Sequence, residues 1–505
     1  MKILFIYPND DSQVGFNYGI AHISAVCRKA GHSVELWHFC SSVKKLPSKK
    51  QFTDKLIKSS FDIIGFSVVT NQWPLAQKFA RWIKSVSSVP IVCGGIHALA
   101  AGKEILNTKL FDYIIIGEAE DSFLEFVNKK AKGKDVGNIK NLGMIKNGRY
   151  ILNPVRPFPD LAKLPMKDYE IFDFQRIIDE KNGWVGLMAS RGCPFSCTYC
   201  FNHHMVSHYR KDLSCNFNQL NYIRHFSIKQ LISEINYLTS KYKNIKMFIF
   251  DDDLFTFYGK YVKDFCMAYK KKFSLPFVVN AHVGFFDEKR ARYLADANCK
   301  IVKFGVESGS ERVRKMFLNR HMKNEKIIKA IQLAEKTKLH SSVFIMIGLP
   351  GETCEDVMET LKLLGKAKPG RFRWSFFFPF PGTKAYDLTM QKHQVVQNEM
   401  VSMTNFTEKS CIDFGKKQNL FLKKVGKIMP WFVNAYSELE VSDFYKQKID
   451  QILSLDSDDW EKREKNILEE DKKYSDDFVD NRLSHYAVKY NPFMGVISDY
   501  FVNEK

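Results

Sequence analysis

Short apolar runs alternate with amphipathic stretches from the first residues onward. Ile3-Leu4-Phe5-Ile6 is predicted to be a buried strand, closed by Pro8 and a polar loop. A helix is expected from about Gly19, with Ile20, Ile23, Val26 and Cys27 on one face and Gly31 as its stop. Val34-Glu35-Leu36 and Ile63 to Val69 read as the next strands, Trp73 to Val86 as a helix, and Ile91-Val92-Cys93 and Tyr113 to Ile116 as further strands. This alternation predicts an α/β, Rossmann-like doubly wound parallel sheet over residues 1–135. Residues 136–180 are polar and marked by Pro154, Pro157, Pro159 and Pro165, and read as a linker.

The alternation resumes over 181–385. Strands are expected at Val185 to Ala189, Met247 to Phe250, Phe277 to Val279, Ile301 to Val306, Val343 to Ile347 and Phe372 to Phe378. A helix begins near Ser227, which with Gln230 makes a capping box. Ile228, Leu231, Ile232, Ile235 and Leu238 form its buried face. Six strands with helices between them predict a partial (β/α)6 barrel, whose active site gathers at the carboxyl ends of the strands. Residues 386–505 read as a mostly helical domain. Its aromatics Trp431, Phe432, Tyr436, Phe444 and Tyr445 are expected in the core, and Asp458 to Asp477 on a surface helix.

Composition narrows this picture. The chain has 505 residues, enough for two to four domains. No apolar run approaches a membrane span, and Met1 to Ile6 leads into a strand, not a signal peptide. Apart from one triplet the eleven cysteines are scattered, so a disulfide framework is not expected and a reducing cytoplasm is. The formal charge of +20 raises the question of nucleic acid, yet the lysines are dispersed along the chain with no arginine-rich arm. Nucleic acid is therefore not the expected partner, and an anionic substrate stays open.

The candidate chemistry lies where strands end. Cys193, Cys197 and Cys200 stand at C-x3-C-x2-C on one loop after a strand. Soft thiolates favour an iron–sulfur cluster or zinc. No fourth cysteine follows at matching spacing, since Cys215 is fifteen residues on, so a three-thiolate centre would keep one position open. A structural zinc site completed by His203 or His204 is the alternative. Other strand ends carry Asp251-Asp252-Asp253 (a solvated turn or a loose metal site), Asn280 and His282, Gly305-Val306-Glu307-Ser308-Gly309, and Gly348-Leu349-Pro350-Gly351-Glu352-Thr353. In the first domain they carry Gly94-Gly95-Ile96-His97 and Gly117-Glu118-Ala119-Glu120. No G-x-G-x-x-G opens the first helix, which disfavours a nicotinamide cofactor.

The cysteine loop, taken with these downstream segments in their order, resembles the radical S-adenosylmethionine (SAM) enzymes that carry a cobalamin-binding domain. The resemblance implies that Cys193, Cys197 and Cys200 hold a [4Fe–4S] cluster whose fourth iron binds SAM. It implies that Tyr199, Asp252, Glu307, Ser308 and Gly348 contact SAM, and leaves the role of His282 doubtful because arginine is frequent there. Over residues 1–135 it implies cobalamin at Tyr18, Gly19, Ser67, Thr70, Gly94, Gly95, His97, Gly117 and Glu118. No D-x-H-x-x-G follows the first strand, where Asp10, Asp11 and Gly15 stand without a histidine, so the loop offers cobalt no imidazole. The implied activity is a cytoplasmic methyltransferase acting on an unactivated carbon through a 5′-deoxyadenosyl radical. A small-molecule, lipid-like or peptide substrate is implied with it, and an electron donor such as flavodoxin or ferredoxin. A cyclase or rearrangement enzyme without methyl transfer, and an RNA-binding modification protein, are the alternatives. No catalytic side chain is singled out.

Overall fold

The computed structural model describes all residues except 11–13, 44, 397–408, 492–495 and 503–505, and only the backbone of 489–491 and 496–502. Asp11, in the loop expected to lack a histidine, lies outside the described residues. The chain divides into two compact units. The first comprises Met1–Phe195, Cys200–Lys246 and Pro381–Thr383; the second comprises Ser196–Tyr199, Met247–Phe380 and Lys384–Lys505. The division falls after Lys246, and it also passes through the cysteine loop.

In the first unit seven strands make one sheet: β1 (Lys2–Pro8), β2 (Ser33–Phe39), β3 (Ile63–Ser67), β4 (Ile91–Gly94), β5 (Tyr113–Ile115), β6 (Leu142–Lys146) and β7 (Arg149–Leu152). Their order is β2-β1-β3-β4-β5-β6-β7. The first five run parallel, while β6 and β7 are antiparallel additions. The chain winds to one side of β1 and then returns to the other, so the crevice at the carboxyl ends of β1 and β3 is the place where such sheets take ligands. Leu4, Ile6, Ile64, Phe66, Ile91, Cys93 and Ile114 form the apolar layer beneath it. The helix Tyr18–Lys29 starts where Asn17 accepts the Ile20 amide at 2.9 Å.

The hairpin of β6 and β7 lies inside the stretch expected as a linker. Asn147 and Gly148 both take positive φ, 51° and 73°, as a two-residue hairpin turn requires. Three short strands complete the unit: β8 (Trp184–Leu187), β9 (Ser190–Arg191) and β10 (Arg224–His225), the last two forming an antiparallel ladder. Ser227 and Gln230 make the expected capping box at the start of helix Ile228–Lys241.

In the second unit β11 (Met247–Phe250), β12 (Phe277–Ala281), β13 (Cys299–Glu307), β14 (His340–Ile347) and β15 (Arg371–Phe376) run parallel, each paired with the next. These are five of the six strands expected for the barrel; the sixth is β8. Beyond them β16 (Gln394–Val395) pairs with β17 (Ile412–Asp413). The C-terminal region is helical over Lys416–Ala435, Ser442–Ser454, Ser457–Glu464 and Ile467–Asp480. Trp431 and Tyr445 are fully buried there, as core aromatics should be. The region ends in a hairpin that the sequence did not suggest, β18 (His485–Asn491) and β19 (Val496–Val502), with β19 joined antiparallel to β15. Among the described residues no helix is long and apolar enough to cross a membrane.

Candidate functional site

The carboxyl end of β13 is irregular where chemistry is expected. Its pairing with β14 slips between Gly305 and Glu307, and Glu307 itself has φ 70°. A left-handed non-glycine residue costs about 1–2 kcal/mol, and a bulge of this kind re-aims one side chain. Here the Glu307 carboxylate accepts the Tyr199 hydroxyl at 3.1 Å. The Tyr199 oxygen in turn accepts Arg320 Nη1 at 3.2 Å, and the same nitrogen donates to Cys197 Sγ at 3.4 Å. Arg320 also donates to the Gly305 carbonyl. Burial pushes the Glu307 carboxyl up, while Arg320 and Tyr199 pull it partly back. Burial alone would lower Arg320, but Tyr199, Glu307 and Cys197 around it raise it, so it stays a cation.

Segment 196–199 is strapped to the turn that carries Arg320. The Thr198 amide donates to Leu318 O at 3.2 Å and its hydroxyl to Phe317 O at 2.5 Å. Asn319 Nδ2 donates to the Ser196 carbonyl at 3.0 Å and to its hydroxyl at 2.8 Å. Tyr199 packs with Phe378, Met346 and Phe414 against the buried Phe317, Leu349 and Ile412, which shields these polar groups from water.

At the end of β14 the Gly348 and Leu349 amides both donate to Glu352 Oε2, at 2.6 and 3.1 Å. Its other oxygen, Oε1, is buried and has no hydrogen-bond partner among the described residues. Burial pushes this carboxyl up to about 8, against the downward pull of those two amides. The remaining residues expected at SAM have internal partners. Ser308 is fully buried; its hydroxyl stands 3.4 Å from that of Thr360 and accepts the Ser310 amide at 3.2 Å. Asp252 is fully buried, and its carbonyl accepts Asn280 Nδ2 at 2.8 Å. His282 Nδ1 accepts the Gly284 amide at 3.0 Å and so caps the turn after β12.

In the first unit the corresponding loops close on the protein itself. In the β9–β10 ladder Arg191 lies directly opposite Arg224, a like-charge pairing that needs an anion between the two. Glu118 is that anion. It accepts Arg191 Nη1 at 2.6 Å and is held on both oxygens by Arg224, while Arg191 Nη2 reaches Glu120 at 2.7 Å. Burial alone would raise the Glu118 carboxyl, but the two arginines outweigh it and hold it below the usual range. Gly117 (φ 73°) lies under Tyr209, whose hydroxyl a Cβ would overlap.

Gly95 takes φ 89°, and a Cβ there would come within 2.5 Å of the Val68 carbonyl, whereas at Gly94 it would make ordinary contacts at 3.6 Å. His97 is buried beside Trp73, with ring centroids 4.9 Å apart. Its Nδ1 lies 3.4 Å from Thr70 Oγ1, and burial pushes it down to about 4. Ser67 accepts Asn17 Nδ2 at 3.2 Å, which ties the end of β3 to the cap of the first helix; Tyr18 and Gly19 open that helix.

The residues present can be set against the cofactors implied. For an iron–sulfur cluster the donor chemistry fits: three cysteines on one loop, none in a disulfide, one of them already hydrogen-bonded by a buried cation. Among the described residues no group of three His, Cys, Asp or Glu side chains stands ready to hold an ion. For cobalamin, Ser67, Val69, Thr70 and Gly94 offer small, partly open positions at the carboxyl ends of β3 and β4, beside the switch point. Glu118 and His97 are engaged elsewhere. Sequence reasoning assigned no role to Arg191, Arg224 or Arg320. Arg191 was visible in the motif itself, two residues before Cys193, but Arg320 stands in a polar turn without a pattern.

A loop of three thiols and two parallel sheets with polar strand ends are the features of a two-cofactor α/β enzyme. Residues 187–364 match the radical SAM superfamily, and residues 12–127 match the B12 binding domain. The chain belongs to the radical SAM enzymes that carry a B12-binding domain, whose cofactors are a [4Fe–4S] cluster, SAM and cobalamin. It is 26% identical to an uncharacterised methyltransferase of Pyrococcus horikoshii, over 82% of this chain and 87% of that protein. It is 23% identical to the anaerobic magnesium-protoporphyrin IX monomethyl ester cyclase of Rubrivivax gelatinosus, over 82% and 75%. Its fold is similar to that of the radical SAM methyltransferase TsrM from Kitasatospora setae with cobalamin and a [4Fe–4S] cluster bound. That match has a TM-score of 0.63 and 15% identity, and covers 77% of this chain and 78% of that one.

Proposed function

We propose that this protein is a cobalamin-dependent radical SAM methyltransferase acting on an unactivated carbon of a small molecule. In this reading Cys193, Cys197 and Cys200 hold the cluster, Tyr199, Glu307 and Gly348 line SAM, and Ser67, Thr70 and Gly94 line cobalamin. Bound there, the cluster supplies the electron that cleaves SAM and cobalamin carries the methyl group. The observation that carries the reading is the convergence of Tyr199 and Glu307 on Arg320 beside Cys197, four residues from two distant segments of the chain.

The chain's own residues do the rest. Arg320 places a fixed positive charge beside the Cys197 sulfur, to which it donates. Glu307, re-aimed by the bulge, presents a carboxylate oxygen for hydroxyl or ammonium donors, and Tyr199 fixes its orientation. Glu352 holds the Gly348 and Leu349 amides and so sets the backbone on which a flat base can lie. Met346, Phe378 and Phe414 keep water away from a reactive radical. Flavodoxin or ferredoxin is the proposed electron donor and the cytoplasm the proposed compartment; nucleic acid is not the proposed substrate.

The test is incubation of the anaerobically reconstituted protein with methyl-labelled SAM and candidate substrates. Transfer reads out as labelled product, with S-adenosylhomocysteine and 5′-deoxyadenosine formed together. Product without label and without the homocysteine derivative would instead favour ring closure or rearrangement, the chemistry of the cyclase relative.

A further inference from the structure

β15 reads Arg371-Phe372-Arg373-Trp374-Ser375-Phe376, and strand alternation separates its two faces. Trp374 Nε1 donates to the Gly426 carbonyl at 2.8 Å, and a Cβ at Gly426 would strike the Phe376 ring, so Trp374 and Phe376 face helix Lys416–Ala435. Arg371, Arg373 and Ser375 point the other way, onto the face that carries Glu307 and Lys303 of β13 and Phe344 and Met346 of β14. The register places Arg373 level with Phe344, and Phe344 level with Gly305, whose carbonyl Arg320 holds.

Arg373 is only 5% exposed. Its Nε and Nη1 are buried without a hydrogen-bond partner among the described residues. The guanidinium lies 5.6 Å from the centroid of Phe344. A buried guanidinium with orphaned donors is costly, and the Phe344 ring offsets only part of that cost. Arg373 stands on the same face as the Glu307 carboxylate, two strand spacings away, or about 10 Å.

We propose that Arg373 is the anchor for an oxyanion of the substrate, a carboxylate or a phospho group, with Phe344 as the platform for the apolar or aromatic part beside it. This rests on the methyltransferase reading above and narrows its substrate to an organic acid. The oxyanion accepts from one of these donors, and this contact fixes the rest of the molecule on the face shared with Glu307.

The test uses the full-length, cluster-reconstituted protein and two probes, benzoate and phenyl phosphate, by titration calorimetry. Saturable binding of at least one probe to the wild type, weakened about 10- to 100-fold in R373Q, supports the anchor. No saturable binding, or equal binding in R373Q, overturns it. A second titration with SAM separates the two sources of an oxyanion. SAM affinity within about twofold of wild type in R373Q leaves the anchor to the substrate, whereas a loss of tenfold or more assigns it to the carboxylate of SAM and overturns the proposal. The melting temperature of R373Q is expected to equal or exceed that of the wild type; a marked fall makes Arg373 structural and also overturns the proposal. None of these readouts needs turnover, so they stand or fall apart from whether a methyl group is transferred.

Discussion

Glu118 follows a glycine after β5 and is gripped by two guanidiniums, whereas Glu307 ends β13 with a single phenol on its carboxylate. The contrast extends to their surroundings. In the first unit Gly95 packs on the Val68 backbone, Gly117 lies under Tyr209, and His97 is enclosed by Trp73 and Thr70. In the second unit Glu352 Oε1 and the Arg373 donors have no partner among the described residues. A glycine–acid pair at a strand end therefore has two meanings. It can fasten the fold, or it can hold polar atoms in reserve for a ligand, and the deciding factor is whether arginines grip the carboxylate itself, as Arg191 and Arg224 grip Glu118.

If that distinction holds, substitutions in the first group should cost stability and those in the second should cost binding. The largest effect belongs to the cysteine loop. Replacing Cys193, Cys197 and Cys200 together by alanine should reduce iron and sulfide to background while the circular dichroism spectrum stays that of the wild type. Retained iron would detach the loop from the cluster. Next, E118A strands two buried guanidiniums and should lower unfolding free energy by roughly 3–5 kcal/mol, read by denaturant titration. A loss of cobalamin binding at unchanged stability would instead restore Glu118 as a ligand.

The paired glycines sharpen the same point on a smaller scale. G95A meets the Val68 backbone and should cost about 1–3 kcal/mol. G94A has room and should cost under about 1 kcal/mol while reducing cobalamin loading, measured by absorbance after reconstitution. Similar stability losses in both would erase the difference between them.

A further effect is in pH dependence, and its sign differs between the units. The depressed Glu118 carboxyl contributes stability above the ordinary carboxylate range and loses it as pH falls. Glu352, pushed up from 4.5 to about 8, binds its proton more tightly folded than unfolded. Its contribution is full below 4.5 and is lost as pH rises toward 8, by at most about 1.4 kcal/mol per pH unit. Denaturation midpoints between pH 5 and 8 should flatten in E352Q; an unchanged slope would place the charge elsewhere.

Much of this architecture is legible in the sequence because it is locally written. The strand–helix alternation, the Ser227–Gln230 capping box and the cysteine spacing each occupy a few consecutive residues. The hairpin of β6 and β7 was legible too, in Asn147-Gly148 between short apolar runs, but nearby prolines gave the stretch the look of a linker. The pairings of the arginines were not legible, since Arg320 meets Cys197 across 123 residues and Arg191 meets Glu118 across 73. Long-range pairing leaves no periodicity behind. Arg371 and Arg373, alternating in an otherwise aromatic strand, carried a signal that pattern reading absorbed as ordinary strand.

The clasp around Glu118 also sets a timetable for synthesis. The chain emerges from its amino end, so β1 to β5 and Glu118 are made long before Arg191, and Arg224 follows later still. Until residue 224 is available, Glu118 has no second cation and Arg191 has no ladder to join. The entry to the cysteine loop is thus fixed only after the loop itself has been made. A metallation machinery that acts on the nascent chain would meet three thiols on an unanchored segment, and one that acts after release would meet them on a fastened one.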